Sequence, residues 1–390
     1  MMSRLRYLTA GESHGEALSG ILEGMPAGVP IELEKINEQL SRRQQGYGRG
    51  RRMQIESDEA KILSGLRFGK TLGSPIGVLV WNRDWANWTE RMDLWQQPEN
   101  DRPVTIPRPG HADLAGALKY GHDDIRNVLE RASARETTMR VALSTFARQL
   151  LEHFGINIAS HVVQIGDVSS IYEINLDEEI SDLNTKVDES AVRVLDKEAE
   201  EGIIAKIDQA KIEKNTLGGI FEVVADGVPL GLGSHVHWDR KLDARIAQAM
   251  MSIQAMKGVE IGLGFEAAKT WGSEAHDEIY HSRDAGFHRK TNRAGGIEGG
   301  MSTGDRISIR VAMKPISTLM RPLDSADLIT KEPVKAHIER SDVCSVPAAS
   351  IIGEAILALT LCDLLLEKIG GDSYEEMKPR FEQITKGIQS

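Results

Sequence analysis

Apolar residues recur at helical spacing through one long stretch of the chain. Ile125, Val128, Leu129 and Ala132, then Met139, Leu143, Phe146, Ala147, Leu150 and Leu151, fall at three- and four-residue intervals. The pattern predicts a helix that Asp123 caps and Gly155 ends. Its middle, ASARETT (132–138), is small and polar where a core helix wants bulk. Arg131 and Arg135 sit one turn apart there, on one predicted face. Small residues let a ligand approach the backbone closely; a kinked helix with solvated arginines explains the same stretch.

Elsewhere the period changes. Residues 5–9, 156–166 and 306–315 read as strands, and 71–81 as a Gly/Pro turn followed by a buried strand. GGIFEVVADGVPLGLGS (218–234) reads as two strands around a turn, and VEIGLGFEAA (259–268) as another strand. Residues 33–43 and 242–256 read as amphipathic helices. The most apolar helix, Ile351 to Ile369, carries Glu354 and Asp363 and is expected to be buried in a core, not to span a membrane. Trp81, Trp85 and Trp88 share helical spacing and Trp95 follows, which reads as core packing, with a subunit contact as the alternative. No low-complexity linker divides the 390 residues. The expectation is one α+β domain, 1–390, with mainly antiparallel strands and an acidic helical excursion over about 172–215.

Charge sharpens this. With 47 Lys and Arg against 58 Asp and Glu, the net charge is -11, which disfavours a generic nucleic-acid binder. Arg42 to Arg52 nevertheless holds five arginines and no acid. A focused cationic patch on an acidic protein suggests a small anionic ligand; a basic surface loop is the plain alternative. Two cysteines, Cys344 and Cys362, imply no disulfide framework and suit a reducing compartment. The first residues lack the apolar run of a signal peptide.

Several familiar motifs fail. Gly65–Thr71 (GLRFGKT) has one residue too few for a phosphate-wrapping loop. Gly262 to Ala267 lacks a surrounding βαβ pattern for a dinucleotide fingerprint. Gly11-Glu12-Ser13-His14-Gly15 satisfies G-x-S-x-G, but the strand–helix alternation of an α/β-hydrolase is missing, leaving a serine hydrolase as a minor alternative. No metal motif is present, and no metal is expected.

What survives is His14 and His111, each beside glycine, with arginines at 43, 49, 108, 131, 135 and 340, an acid at Asp342, and glycine clusters in AGGIEGGMSTG. Arginine recognises carboxylate and phosphate bidentately, and histidine can protonate a leaving group. These residues imply an enzyme acting on a multiply anionic small molecule by acid catalysis, without identifying the reaction.

GESHG, RRQQGYGRG, RPGHADL, RASARETTMR, GGIEGGMSTG, MKPIST and RSDVCSVPAA together resemble the chorismate synthase family, in order, from Arg6 to about Glu367. The resemblance implies a β-α-β sandwich, helices between two antiparallel sheets, in a cytoplasmic homotetramer. It implies anti-1,4-elimination of phosphate from 5-enolpyruvylshikimate-3-phosphate, dependent on reduced FMN. NADPH would act only indirectly, through a separate flavin reductase. Neither nucleic acid nor membrane is an implied partner.

By motif matching, Arg43, Arg49, Arg108, Arg135 and Arg340 would line the substrate- or NADP-binding pocket. Flavin contacts would come from Arg131, Ala132, Ser133, Gln254, Ala255, Gly299, Lys314, Pro315, Ile316, Ser317, Thr318 and Arg340. His14 would neutralise the departing phosphate, His111 would hold or supply a proton at the flavin, and Asp342 would help relay the C6 proton. The glycine-rich loop 46–50 would be a lid. A flavin- or anion-binding protein without turnover is the non-enzymatic alternative.

Overall fold

The computed structural model describes residues 4–49, 58–283, 286–338 and 342–386. Strands β1 (Arg6–Ala10), β2 (Ala17–Glu23), β3 (Lys61–Ile62) and β4 (Ile76–Trp81) form an antiparallel sheet ordered β1-β2-β4-β3. A second antiparallel sheet joins β5 (Asn157–Ile165), β6 (Val168–Ser169), β7 (Gly219–Asp226), β8 (Met256–Ile261) and β9 (Ile307–Met313) in the order β8-β9-β7-β5-β6. The fold class is α+β.

Alternation explains the first sheet. Leu18 and Leu22 of β2 and Ile76, Val78 and Val80 of β4 are buried, whereas Ile21 and Trp81 on the opposite face are exposed. The buried face receives helix α4 (Thr137–Glu152). Gly20 permits the approach: a Cβ there would lie 2.5 Å from Met139 Cγ.

The second sheet is covered on both faces, so its central strand is apolar at successive positions. On β7, Phe221, Val223 and Ala225 enter the main core, while Val224 joins a smaller cluster with Ile180, Leu183 and Val187. That smaller cluster belongs to the acidic excursion, whose helices are α5 (Leu183–Asp188) and α6 (Lys197–Ile212). Helix α8 (Val346–Ile369) crosses the other face, packing on β5, β7, α4 and α1 (Leu33–Gln44). It is long and apolar enough to cross a membrane by length and composition, and is almost wholly buried inside the fold. The expectation of a buried core helix holds.

The predicted helix through 125–151 is broken. Helices α2 (Asp113–Tyr120) and α3 (Arg126–Ala132) precede a 3₁₀ turn, Ala134–Glu136, and then α4. Ser133 is extended and its hydroxyl caps the turn by accepting from Arg135 N. The start of α3 is held by Asp124, not Asp123: its carboxylate accepts from the Arg126 and Val104 amides. Arg131 and Arg135 therefore do not share a helical face. Two further expectations are corrected. Residues 218–234 yield one strand, β7; Gly227, at φ +76°, ends it and Gly233 makes only an isolated bridge. The tryptophans do not pack a core: Trp81 and Trp95 are exposed and Trp85 and Trp88 half-buried.

Candidate active site

His14 lies in the connection between the antiparallel neighbours β1 and β2. GESHG is thus a hairpin connection, and no helix follows Ser13 as a nucleophile elbow would require. Gly11 has φ +109°, and a Cβ there would meet Ala17 O at 2.6 Å, so the turn needs glycine. The loop is pinned by α3: Ser13 N donates to Glu130 O, and His14 N donates to Glu130 Oε2 at 2.9 Å. His14 Nδ1 is 3.0 and 2.9 Å from the two Glu130 oxygens. The ring stacks on Trp88 with centroids 3.8 Å apart. Arg126 donates to Glu130 Oε1 at 3.1 Å and lies over the Trp88 ring. Burial works to raise the Glu130 carboxyl, but the bonds and charges of His14 and Arg126 outweigh it and hold the group below its usual value.

His111 repeats this arrangement at the start of α2. Its Nδ1 is 2.5 Å from Asp113 Oδ1, and Arg108 donates through Nε to Asp113 Oδ2 at 2.8 Å and through Nη2 to Oδ1 at 3.1 Å. The Arg108 amide also donates to Asp113 Oδ2. Burial would raise the Asp113 carboxyl; hydrogen bonds from His111 and Arg108 prevail and hold it well below the usual carboxylate range.

The arginines fall into three groups. Arg43 and Arg135 are buried and converge on Asp58: Arg135 Nη1 donates to its Oδ2 at 2.7 Å, and Arg43 Nη1 is 3.8 Å from the same oxygen. Arg135 also donates to Asn82 Oδ1, and Asn82 in turn donates to Gly15 O in the His14 loop. Arg43 comes from the last turn of α1, not from a loop. Arg49 pairs with Asp342 at 3.3 Å, and Ser345 donates to that carboxylate at 2.8 Å. Arg108 belongs with His111 and reaches Thr318 Oγ1 at 3.1 Å. Arg340 and Gly50 lie outside the described residues. Arg42, beside Arg43, points elsewhere, to Glu354 inside α8 and to Asp188.

Apart from Gly299 and Arg340, the residues implied for the flavin form a connected path between the two histidines. Arg131 donates to Thr9 O and Gly11 O, and Ser133 Oγ to Ser13 Oγ at 3.2 Å. Ala132 ends α3 beside them. Thr9, Arg140 and Gln254 all donate to Glu136. Ala255, at φ +69°, accepts from Lys314 N through its carbonyl. Lys314 Nζ donates to Gly110 O beside His111, at 2.6 Å. Burial and the Lys257 charge push the Lys314 amine down. Pro315 and Ser317 continue this loop; Ile316 O accepts from Thr216, and Thr318 accepts from Arg108. Gly299 is placed differently. It turns a short hairpin whose Gly300 O accepts from Leu242 N at the start of helix α7 (Leu242–Met251), while Gln254 follows the end of that helix.

A flavin fits these groups. Gln254 gives its amide N–H to Glu136, and its Oε1 is buried without a hydrogen-bond partner among the described residues, an acceptor suited to a ligand N–H. A cleft of about 340 Å³ lined by Tyr7, Leu8, Thr9, Arg131, Glu136, Arg140 and Gln254 opens beside it. At Gly299 a side chain would meet open space, so a ligand can lie against bare backbone.

Sequence reasoning missed Glu130, Asp113, Asp58, Asn82, Trp88 and Glu136. Asp113 stands two residues from His111 and Glu130 directly precedes RASARET, so proximity was a usable signal for both. Nothing local marks Asn82 or Asp58. Among the described residues no group of His, Cys, Asp and Glu could hold a metal ion.

Carboxylate-held imidazoles linked to several guanidiniums define an acid–base enzyme for an anionic small molecule. The comparisons make this specific. The chorismate synthase family model matches residues 5–366. The chain is 55% identical to the chorismate synthase of Brevibacillus brevis over 97% of its length and 98% of the relative's. It is 54% identical to that of Aquifex aeolicus, covering 99% and 98%. A chorismate synthase crystal structure superposes with a TM-score of 0.77 at 45% identity, covering 99% of this chain and 98% of the other. The chain belongs to the chorismate synthase family, carbon–oxygen lyases acting on a phosphate-bearing substrate.

Proposed function

We propose that this chain catalyses the anti-1,4-elimination that converts 5-enolpyruvylshikimate-3-phosphate to chorismate and phosphate, with the residues above in defined roles. In this reaction the C3–O bond breaks, phosphate departs, and the proton at C6 is lost. Reduced FMN, when bound, supplies electron density to the substrate as phosphate leaves. Arg131, Ala132, Ser133, Gln254, Ala255, Gly299, Lys314 to Thr318 and Arg340 would hold it.

His14 acts at the leaving group. Its Nδ1 is committed to Glu130, so proton donation to a phosphate oxygen falls to Nε2. Arg49 and Arg108 bind substrate anions with Arg340, while Arg43 and Arg135, which both approach Asp58, add positive charge beside them. Asp342, kept in place by Arg49 and Ser345, helps remove the C6 proton. His111, held by Asp113, keeps a proton at the flavin side of the site.

The observation that carries this reading is His14 gripped by a buried carboxylate in a loop tied to the Arg135 network. The test is anaerobic phosphate release from 5-enolpyruvylshikimate-3-phosphate with dithionite-reduced FMN. Release is expected; its absence, with FMN bound, would favour a binding protein. His14→Ala and His111→Ala should each lower turnover by about 10²- to 10⁴-fold.

Reduced flavin is borrowed in this reading, and NADPH enters only through another reductase. Turnover in air on NADPH and FMN alone would overturn it. One core cluster runs from Leu5 to Met377 and takes residues from both sheets, α4 and α8, supporting a single β-α-β sandwich domain. A homotetramer is supported by the outer face of the first sheet, where Leu8, Ile21 and Trp81 are exposed in adjacent strands. Two buried free cysteines suit a cytoplasmic location.

A further inference from the structure

The two histidines are held by the same device, built twice from unrelated segments. In each case Nδ1 meets a carboxylate whose side chain is 1% exposed: Glu130 for His14, Asp113 for His111. In each case an arginine completes the carboxylate, Arg126 for Glu130 and Arg108 for Asp113. In each case the same carboxylate also accepts a backbone N–H from the histidine's loop, His14 N or Arg108 N. The carboxylate therefore fixes the ring and the main chain together.

The chemistry of the contacts decides where the proton sits. An imidazole nitrogen 2.5 Å from a carboxylate oxygen needs a proton between them. Each carboxylate also accepts from an arginine and from a backbone N–H, donors that favour its ionised form, so that proton belongs to the imidazole. Arg108 Nη2 also lies 3.1 Å from His111 Nδ1. It is itself a donor, and its bond goes to the shared Asp113 Oδ1 at 3.1 Å, so the short approach of Nη2 to Nδ1 follows from two donors meeting one acceptor. With Nδ1 protonated, Nε2 becomes the nitrogen that exchanges a proton with a ligand. Trp88, stacked at 3.8 Å, removes the remaining freedom of the His14 ring.

We propose that Glu130 and Asp113 are positioning residues for the elimination, each fixing the Nδ1–H form of its histidine and thereby presenting Nε2 to the ligand. The proposal rests on the reading of His14 and His111 as the proton-handling groups. Neither carboxylate itself has to touch substrate. An amide in its place keeps the shape, yet offers an N–H to Nδ1 and turns the ring to the opposite tautomer, a change that costs about 10⁴ in turnover where a triad aspartate is replaced by asparagine.

The test pairs kinetics with a direct view of the rings. Glu130→Gln and Asp113→Asn are each expected to lower kcat by about 10²-fold or more, with KM for substrate changed less than about fivefold. Glu130→Asp should recover part of the loss, since it restores a carboxylate. Nitrogen-15 NMR of histidine-labelled protein, with His14 and His111 assigned through His14→Asn and His111→Asn, should show both neutral rings protonated at Nδ1. The same signals should move to Nε2–H in the amide variants. A near-normal kcat in both amide variants would overturn the proposal, as would wild-type rings protonated at Nε2. The NMR reading needs no turnover. A wild type that carries Nδ1–H rings yet releases no phosphate would therefore sink the assigned reaction alone.

Discussion

Arg135 and Asp58 form an ion pair closed off from solvent, Nη1 to Oδ2 at 2.7 Å, with side chains 6% and 2% exposed. Arg43 leans on the same oxygen, and Asn82 carries the network on to the His14 loop. Among the described residues, both guanidiniums approach the Asp58 carboxylate beneath the His14 loop. Asp58→Asn removes the carboxylate to which Arg135 donates and should cost about 3–5 kcal/mol, because breaking a buried ion pair by removing one partner is strongly destabilising. Urea denaturation at neutral pH measures it; a loss below about 1 kcal/mol would mean the arginines find other partners.

A second buried acid, Glu354 in α8, faces Arg42, Arg148 and Arg193 and also accepts from Ser160 and Asn184. Burial would raise its carboxyl, but the three arginine charges outweigh that and hold it well below the usual carboxylate range. A carboxyl lowered on folding adds stability that is complete above its unfolded pKa, about 4.3, and is lost as pH falls toward its folded value. Glu354→Gln should therefore be less stable than the parent by about 3–5 kcal/mol at neutral pH. The gap should narrow steadily below about pH 4. Urea midpoints of both proteins between pH 3 and 7 would show a constant gap if the charge were irrelevant.

Gly353 lets α8 lie close on the second sheet. A Cβ at this position would be 2.7 Å from Phe221 Cε2 and 2.9 Å from Val223 Cγ2. Gly353→Ala gains helix propensity of about 1 kcal/mol, yet overpacks a filled interface at a cost of about 1–3 kcal/mol. A net loss is expected, read as a lower melting temperature with unchanged FMN affinity.

Cys344 and Cys362 are both fully buried. Burial pushes the Cys344 thiol up to about 12 and raises Cys362 as well. Since the thiolate is the reactive form, a chromogenic disulfide reagent at pH 8 should label neither in the native protein and both after unfolding in urea. Rapid native labelling of Cys344 would show that the segment leading into α8 opens.

Much of the fold was legible because periodicity reports which face is buried. The helical spacing of α4 names its core positions correctly, from Met139 to Leu151, and the apolar run of α8 announces a helix buried all round. The break at ASARETT was visible as a loss of bulk, but its form was not: whether small polar residues kink a helix or end it depends on what accepts the freed backbone groups, here the Ser133 hydroxyl. The tryptophan cluster misled for a related reason, since spacing gives no information about which face a neighbour covers.

The sequence by itself determined the family, the two histidines, the arginine-rich character and the α+β class, since ordered motifs and local patterns are written along the chain. The tertiary structure alone decided which charges meet. Asp58 reaches Arg135 across 77 positions and Glu130 reaches His14 across 116, and no local pattern encodes such pairs. Their electrostatics depend on burial and on distances of about 3 Å, quantities that exist only once sheets and helices have closed around them.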